Sequence, residues 1–139
     1  MINELDIQAA VNKKLSDAGF NVISPETEEG FKKPAVFTAV YPAEIERLNY
    51  DMENVTDTIE ILRIPKTETL IDASEAAQRI RRLMFYEPLC VGDRKLTISK
   101  MRSEIDDYIL HVYFDVEFMN ETPTDEEYET IEHLETEGI

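Results

Sequence analysis

The chain has 139 residues, which suits one domain or one domain with a tail, and its 42% of hydrophobic residues suffices for one core. Thirty acidic residues against fourteen basic ones give a formal net charge of −16, so the surface repels nucleic-acid phosphates and anionic lipid. With Cys90 as the single cysteine, an internal disulfide is excluded, and neither a signal peptide nor a membrane-spanning run is recognisable. We therefore expect a chain that folds in a reducing cytoplasm and binds no membrane.

The first half of the chain predicts a helix, a short strand and a hairpin. Residues 3–18 predict the helix through apolar residues at helical spacing, namely Leu5, Ala9, Val11, Leu15 and Ala18. Residues 20–24 predict a short strand. Residues 35–41 carry apolar groups on both faces, which is typical of a central strand or of one covered by another subunit. Together with residues 55–64 they predict a long hairpin whose outer part extends beyond the sheet.

The second half predicts another helix and a final hairpin. Residues 72–85 predict the helix, with Asp72 and Glu75 in the pattern of a capping box. Residues 95–105 and 108–119 predict the hairpin, because the second segment strictly alternates apolar and polar side chains. This order of elements predicts an α+β fold, with a mostly antiparallel sheet of about four to five strands and two helices packed on one face.

The last residues differ in composition from the rest. Residues 121–139 hold eight acidic side chains and no Lys or Arg. We therefore predict an α+β domain over residues 1–120 and an acidic C-terminal tail or arm over residues 121–139. Two interpretations of this segment stay open: a solvated tail, or an arm that docks on a neighbouring subunit.

The sequence holds no assembled catalytic motif. The four glycines are scattered, so a phosphate-binding loop is excluded, and two histidines with one cysteine exclude the usual zinc sites. Cys90 is expected to be a buried small apolar residue. The best remaining set is His111, Asp115 and Glu117, which share one face of a strand and suit a hard cation such as Mg²⁺. The alternative is that they form the wet face of an amphipathic strand, so we predict no catalytic, cofactor or metal site.

An apolar cluster in the middle of the chain suggests an interface. It consists of Ile45, Leu48, Tyr50 and Met52, which lie among charged residues in the outer part of the predicted hairpin. Apolar surface that a small core cannot cover is usually a contact between chains. The alternative is a hairpin folded back onto its own core.

The layout resembles the tail terminator family of long-tailed phages and of prophages of Gram-positive bacteria. The likeness covers about residues 1–120. It rests on the order of elements and on the Gly-Phe-Lys-Lys-Pro segment at residues 30–34, which leads into a strand. Strand 55–64 then runs into Pro65-Lys66, and a helix and the amphipathic strand at residues 110–116 follow.

The resemblance implies a structural virion protein without turnover or cofactor. Members of the family form rings, hexamers as a rule, that cap the tail tube, stop its polymerisation and present a surface to the head. The expected partners are further copies of the chain, the tail tube protein and a head-completion or connector protein, while DNA only passes through the ring. The expected location is the tail end or neck of the virion, after assembly in the host cytoplasm. Two alternatives are another phage head–tail adaptor or small protein-binding module, and a metal-dependent enzyme using Asp115 and Glu117, with His111 as a third candidate.

Overall fold

The computed structural model describes residues 2–24 and 30–122, and these residues form two helices and six strands. In chain order the elements are α1 (Glu4–Asp17), β1 (Ala35–Arg47), β2 (Met52–Ile64), α2 (Leu70–Met84), β3 (Leu89–Val91), β4 (Arg94–Leu96), β5 (Met101–Asp106) and β6 (Ile109–Glu121). The predicted α+β fold with an antiparallel sheet is confirmed.

The main sheet has four antiparallel strands in the order β1-β2-β6-β5, and β3 and β4 form a separate antiparallel pair. β2 and β6 pair along nearly their whole length, up to Met52 opposite Glu121. β5 accompanies β6 only as far as Phe114, which lies opposite Met101. The sheet therefore has four strands at one end and three at the other, and the three-stranded end carries the β1–β2 turn.

One face of the sheet carries the core, because the buried side chains of β2 and β6 alternate with more exposed ones along each strand. The buried set on the two strands comprises Val55, Ile59, Ile61, Leu110, Val112, Phe114, Val116 and Phe118. The two helices contribute a second buried set to the same core, which comprises Ile7, Val11, Leu15, Ala76, Ile80 and Met84. Burial of this apolar surface is the main force that holds helices and sheet together.

The buried stripe of α1 differs from the predicted one. Ile7, Val11 and Leu15 are fully buried, whereas Leu5 is 76% exposed. Residues four apart share one face of a helix, and Leu5 lies more than half a turn away from Ile7 around the axis. The prediction that Leu5 belongs to the core stripe is therefore wrong.

The start of α2 also differs from the prediction. The helix begins at Leu70, and the Thr69 side chain caps it by accepting a hydrogen bond from the Asp72 backbone N–H at 3.1 Å. Asp72 therefore lies in the first turn and is not the cap. There its carboxylate pairs with the Arg63 guanidinium of β2, so the cap and the ion pair use different residues.

Two strand predictions need correction. β1 lies at the edge of the sheet and not in its centre, and residues 20–24 form only an isolated parallel bridge, between Val22 and Val36. The outer part of the hairpin does not leave the sheet, because β6 continues beside β2 as far as Glu121. Within the described part of the chain, β1 therefore pairs with β2 along one edge, and its other edge has only the bridge at Val36.

Cys90 is exposed, contrary to the prediction of a buried thiol. It lies in β3 between Leu89 and Val91, which are both buried. Since successive side chains of a strand point to opposite faces, two buried neighbours leave the residue between them on the outer side.

The segment after β6 falls largely outside the described residues, and with it lies the predicted acidic tail from residue 123 onward. The division of the chain near residue 120 accordingly stays a prediction. Of the two helices that the structure describes, neither is long and apolar enough to cross a membrane.

Candidate interaction surface

The β1–β2 turn is an exposed tip that an asparagine holds together. The Asn49 side-chain oxygen accepts hydrogen bonds from the backbone N–H groups of Asp51 at 2.8 Å and Met52 at 3.0 Å. The Leu48 N–H donates to the Met52 carbonyl at 3.0 Å and closes the hairpin. Tyr50 lies at the end of this tip and is 89% exposed. An Asn that bonds the backbone two and three residues ahead stabilises a turn locally.

The four apolar residues predicted as an interface all lie in or beside this tip. Ile45 is 61% exposed and stands opposite Val55, on the face of the sheet that carries the core. Leu48 is 48% exposed, and Met52, its partner across the hairpin, is half-buried. The hairpin is not folded back onto the core. The tip, defined as Ile45, Leu48, Tyr50 and Met52, presents apolar side chains to solvent, and its role as an interface stays a prediction.

Further exposed apolar residues escaped the sequence reasoning. Met119 of β6 is 53% exposed on the outer face of the sheet. The sequence indicates this residue, because it is apolar at a position of β6 where the alternation predicts a polar side chain. Leu70 and Ile71 are exposed at the start of α2, and Tyr86 is exposed just beyond its end. An apolar pair directly after a capping threonine was the signal for Leu70 and Ile71.

The outer edge of β1 is protected in its first half and open in its second half. The Val36 N–H donates to the Asn21 carbonyl at 2.8 Å, and the Gln8 amide of α1 donates to the Thr38 carbonyl at 3.1 Å. Beyond these residues no described element pairs with the outer edge, and residues 41–47 are exposed. Unpaired strand edges are places where another strand can add.

The edge of β6 is open at the same end of the sheet. β5 pairs with β6 no further than Phe114, so residues 115–121 have β2 on one side and no paired strand on the other, where β4 lies close by. The Arg94 guanidinium donates to the Met119 carbonyl, which shows that this carbonyl faces away from β2. Every second residue of a strand directs its backbone N–H and carbonyl to the same side. The backbone groups of Glu117 therefore face the open edge as those of Met119 do.

A groove of about 810 Å³ lies over the outer face of the sheet, between the segment that joins β4 to β5 and the side chains of Tyr41, Thr56 and Thr58, and it borders β6 from Tyr113 to Glu117. The cations Lys95, Lys100 and Arg102 line it together with the carboxylates of Asp115 and Glu117. Within residues 2–24 and 30–122, none of the three cations forms an ion pair. The groove, defined by these five residues, thus carries one more cation than carboxylates on a strongly acidic chain, and its Arg102 guanidinium lies over the Tyr113 ring.

Comparison with known families decides the identity. A family model described as "Phage tail terminator protein" matches residues 6–129. The chain belongs to the phage tail terminator family. The resemblance drawn from the sequence is thus confirmed, and membership makes this chain a phage structural protein of the virion.

Two solved structures that resemble this chain share few identical residues with it. A solved chain that carries no descriptive title is 16% identical, with 89% of this chain and 99% of that one covered at a TM-score of 0.45. A chain from a structure titled "Virion of native gene transfer agent (GTA) particle" is 13% identical, with 83% and 94% covered at a TM-score of 0.47. Comparison with curated proteins finds no match.

The carboxylates considered for metal chemistry lie on the outer face of the terminator's sheet. Asp115 accepts a hydrogen bond from the Thr58 hydroxyl at 2.8 Å, and the His111 ring stacks beside Tyr113 at 6.3 Å between ring centres. Glu117 is exposed. In the ranges that the structure describes, no three His, Cys, Asp or Glu residues are grouped so as to hold a metal ion. The arrangement corresponds to the wet face of an amphipathic strand.

A buried carboxyl group is the strongest electrostatic feature of the described residues that was not predicted from the sequence. Asp57 is fully buried on the core face, and neither of its oxygens has a hydrogen-bond donor among the described residues. Burial first, and the neighbouring Glu4 carboxylate second, raise the pKa of Asp57 to about 7. The protonated form can donate a hydrogen bond to Glu4. The sequence indicates this group, because Asp57 stands in the alternation of β2 at a position that Val55 and Ile59 predict to be buried.

Proposed function

We propose that copies of this chain assemble into a hexameric ring that caps the tail tube, stops its polymerisation and joins the tail to the head. The observation that supports this proposal most strongly is the exposure of apolar side chains at the tip. Its side chains, above all Ile45 and Tyr50, are apolar and lie outside their own core. Burial of one such side chain contributes roughly 1.5–3 kcal/mol, so contacts between chains at the tip stabilise an assembly.

The charge of the chain supports the same proposal. With a net charge of −16, a ring presents a wall that repels DNA phosphates, so the genome passes through the lumen without binding to it. The ring acts by surface complementarity alone, and its function requires no cofactor. DNA is then a passenger and not a ligand.

The proposed ring has two different neighbours in the virion. One side binds the last layer of the tail tube protein, and the other side binds a head-completion or connector protein. The ring lies at the tail end or neck, and it forms in the host cytoplasm before head and tail join. Since the two neighbours differ, the two sides of the ring must present different surfaces.

The test combines the chain with tail tube protein from the same phage during tube polymerisation, and cryo-electron microscopy records tube length and tube ends. Wild-type chain should give shorter tubes with a ring at one end. The variant Leu48→Ser/Tyr50→Ser should give uncapped tubes of unrestricted length. The matched control Leu70→Ser/Ile71→Ser removes two equally exposed apolar residues of α2 and should cap normally.

Two outcomes would contradict this proposal. Wild-type chain that leaves tube length and tube ends unchanged excludes the capping function. If the chain instead forms rings that bind the connector protein but never the tube, it is a head–tail adaptor of another kind.

A further inference from the structure

We infer that the end of β1 and the tip that follows it dock against the groove and the adjoining edge of β6 in the next copy, so that β1 of the first copy extends the sheet beyond β6 of the second. This inference rests on the proposed ring and names the two surfaces that meet in it. The occupant of the groove is thus a second copy of this chain, bound head to tail.

The first step is the position of the two open edges. The second half of β1 and the last seven residues of β6, residues 115–121, border the same three-stranded end of the sheet from opposite sides. A contact between two different patches repeats in one direction and closes into a ring when the rotation permits. A contact with two-fold symmetry would instead join the same edge of both copies, and assembly would stop at a dimer. Two unlike open edges therefore favour a ring.

The second step is the direction of the backbone groups. The Leu48 N–H bonds to Met52 of β2, so Leu48 and, two residues earlier, Glu46 face β2, whereas Ile45 and Arg47 face the open edge. On β6 the Met119 carbonyl faces the open edge. β1 and β6 are both antiparallel to β2, so a second copy that continues the sheet in the same orientation places its β1 parallel to β6. The Arg94 guanidinium already occupies the Met119 carbonyl, so the shared ladder uses the backbone groups of Glu117 on the same edge.

The third step is charge. The segment of the hairpin from residue 44 to residue 53 carries Glu44, Glu46, Asp51 and Glu53 against the single cation Arg47. The groove offers Lys95, Lys100 and Arg102, with Arg94 close by, against Asp115 and Glu117. In a chain with thirty acids and fourteen bases, this is a place where an acidic strand meets cations. Complementary charge of this kind selects the partner surface and speeds encounter.

A local irregularity limits the shared ladder to the end of β1. The register of β1 against β2 shifts between Pro42 and Glu44, and Pro42 has no N–H to offer a neighbouring strand. Proline and bulges at sheet edges prevent unlimited pairing. The docked segment is therefore the short stretch from residue 43 to the tip.

A charge swap tests the inference. One variant reverses the groove (Lys95→Glu/Lys100→Glu), and another reverses the hairpin (Glu44→Lys/Glu46→Lys). Each alone opposes like charges across the contact. When both variants are mixed, every contact again joins opposite charges, because the reversed hairpin meets the reversed groove and the native hairpin meets the native groove. The control Lys13→Glu/Lys66→Glu reverses two exposed lysines outside the groove.

The readout is analytical ultracentrifugation of each chain at increasing concentration, with tail tubes added in a second series. We expect each single reversal to raise the half-assembly concentration by at least about tenfold, which corresponds to about 1.4 kcal/mol, and the equimolar mixture to restore it. The control should assemble as the wild type does. Circular dichroism and unfolding midpoints equal to those of the wild type show that the variants are folded.

The outcomes separate this inference from the proposed ring. If wild-type chain assembles and both reversed variants assemble equally well, the docking of tip into groove is wrong while the ring stands. If the mixture fails to recover assembly, the two surfaces do not meet. If wild-type chain stays monomeric even with tail tubes, the proposed function fails together with the inference.

Discussion

Arg63 Nη1 and Asp72 Oδ2 lie 2.8 Å apart, and this ion pair joins the end of β2 to the first turn of α2. The Arg63 side chain is 8% exposed, whereas that of Asp72 is 31% exposed. The cation is thus taken out of water, and it depends on Asp72 for compensation. The pair fixes where α2 crosses the sheet, so it connects the helix start to the packing of the core.

Removal of Asp72 should therefore cost more than removal of a surface partner. We expect Asp72→Ala to lower the free energy of unfolding by about 3 kcal/mol, because it leaves a buried cation unpaired. The double variant Arg63→Met/Asp72→Ala should lose less free energy of unfolding than Asp72→Ala alone, because it leaves no buried cation unpaired. Urea denaturation measures both. The control is Glu87→Ala, which breaks the exposed Lys14–Glu87 pair and should cost roughly 0.5 kcal/mol or less. Equal losses for Asp72→Ala and Glu87→Ala would contradict this account.

Asp57 predicts a specific dependence of stability on pH. Its pKa is raised from 3.8 to about 7 in the folded chain, so the folded chain holds a proton that the unfolded chain releases. The contribution of Asp57 to the free energy of unfolding is greatest below pH 3.8. It decreases as the pH rises from 3.8 to about 7, and above about 7 it no longer changes. The slope approaches about 1.4 kcal/mol per pH unit where only the unfolded form has lost the proton.

The Asp57→Asn variant should remove this dependence, since the amide is neutral at every pH. Urea denaturation at about pH 5 and about pH 7.5 should show wild type losing roughly 2 kcal/mol more than the variant over this interval. Glu4→Gln should reduce the loss, because Glu4 contributes to the raised pKa of Asp57. Asp115→Asn, at an exposed carboxylate, is the control and should leave the wild-type profile unchanged. A variant profile parallel to that of the wild type would refute the assignment.

The elements that the sequence predicted well are those whose pattern repeats. The alternation of β6 identified the buried face, since Leu110 to Phe118 supply five regularly spaced apolar residues. The order of elements and the α+β class followed from such repeats. The cluster of apolar residues in the hairpin was also found, because charged neighbours on both sides make it conspicuous.

The elements that failed depend on contacts between distant residues. Nothing local distinguishes Ile7 from Leu5 as the core residue of α1, since packing on the sheet decides between two possible stripes. The open edge of β6 follows from the length of β5, which begins at Met101, a residue that no composition rule marks. The buried state of Asp57 likewise follows from its place on the core face beside Glu4 of α1, although its position in the alternation of β2 was a signal.

The two candidate stripes of α1 give a matched pair of substitutions. Ile7 is fully buried and Leu5 is 76% exposed, although both lie in the first turns of the helix. We expect Ile7→Ala to cost about 3 kcal/mol, through lost transfer free energy and a residual cavity. Leu5→Ala should change the free energy of unfolding by less than roughly 0.5 kcal/mol. Urea denaturation measures both, and the opposite ranking would show that the helix presents the other stripe to the sheet.

Cys90 offers a direct test of the register of β3. Its thiol is exposed between the buried Leu89 and Val91, so the folded protein should react with a thiol reagent such as 5,5′-dithiobis(2-nitrobenzoic acid) as completely as the denatured chain does. Because the thiol is accessible without unfolding, urea below the unfolding transition should not change the rate. Protection that is lost only on unfolding would place Cys90 in the core and shift β3 by one residue.

Asn120 fixes the N-terminal residues to the end of β6. The side chain is buried, its amide donates to the Ile2 carbonyl at 2.9 Å, and its oxygen accepts from the Ile2 N–H at 3.5 Å. Asn120→Ala leaves both Ile2 groups without these partners in a buried place. We expect a loss of about 1–2 kcal/mol in the free energy of unfolding.

The position of this contact makes the effect local as well as global. Ile2 directly precedes the Asn3 cap of α1, so hydrogen exchange in the first turn of α1 should accelerate in Asn120→Ala more than exchange in β2. Asn54→Ala is the matched control, because Asn54 lies on the outer face of the sheet and is only half-buried. It should leave exchange in α1 unchanged. If both substitutions accelerate exchange in α1 equally, the clamp at Ile2 does not hold the helix, and its position depends on the core stripe alone.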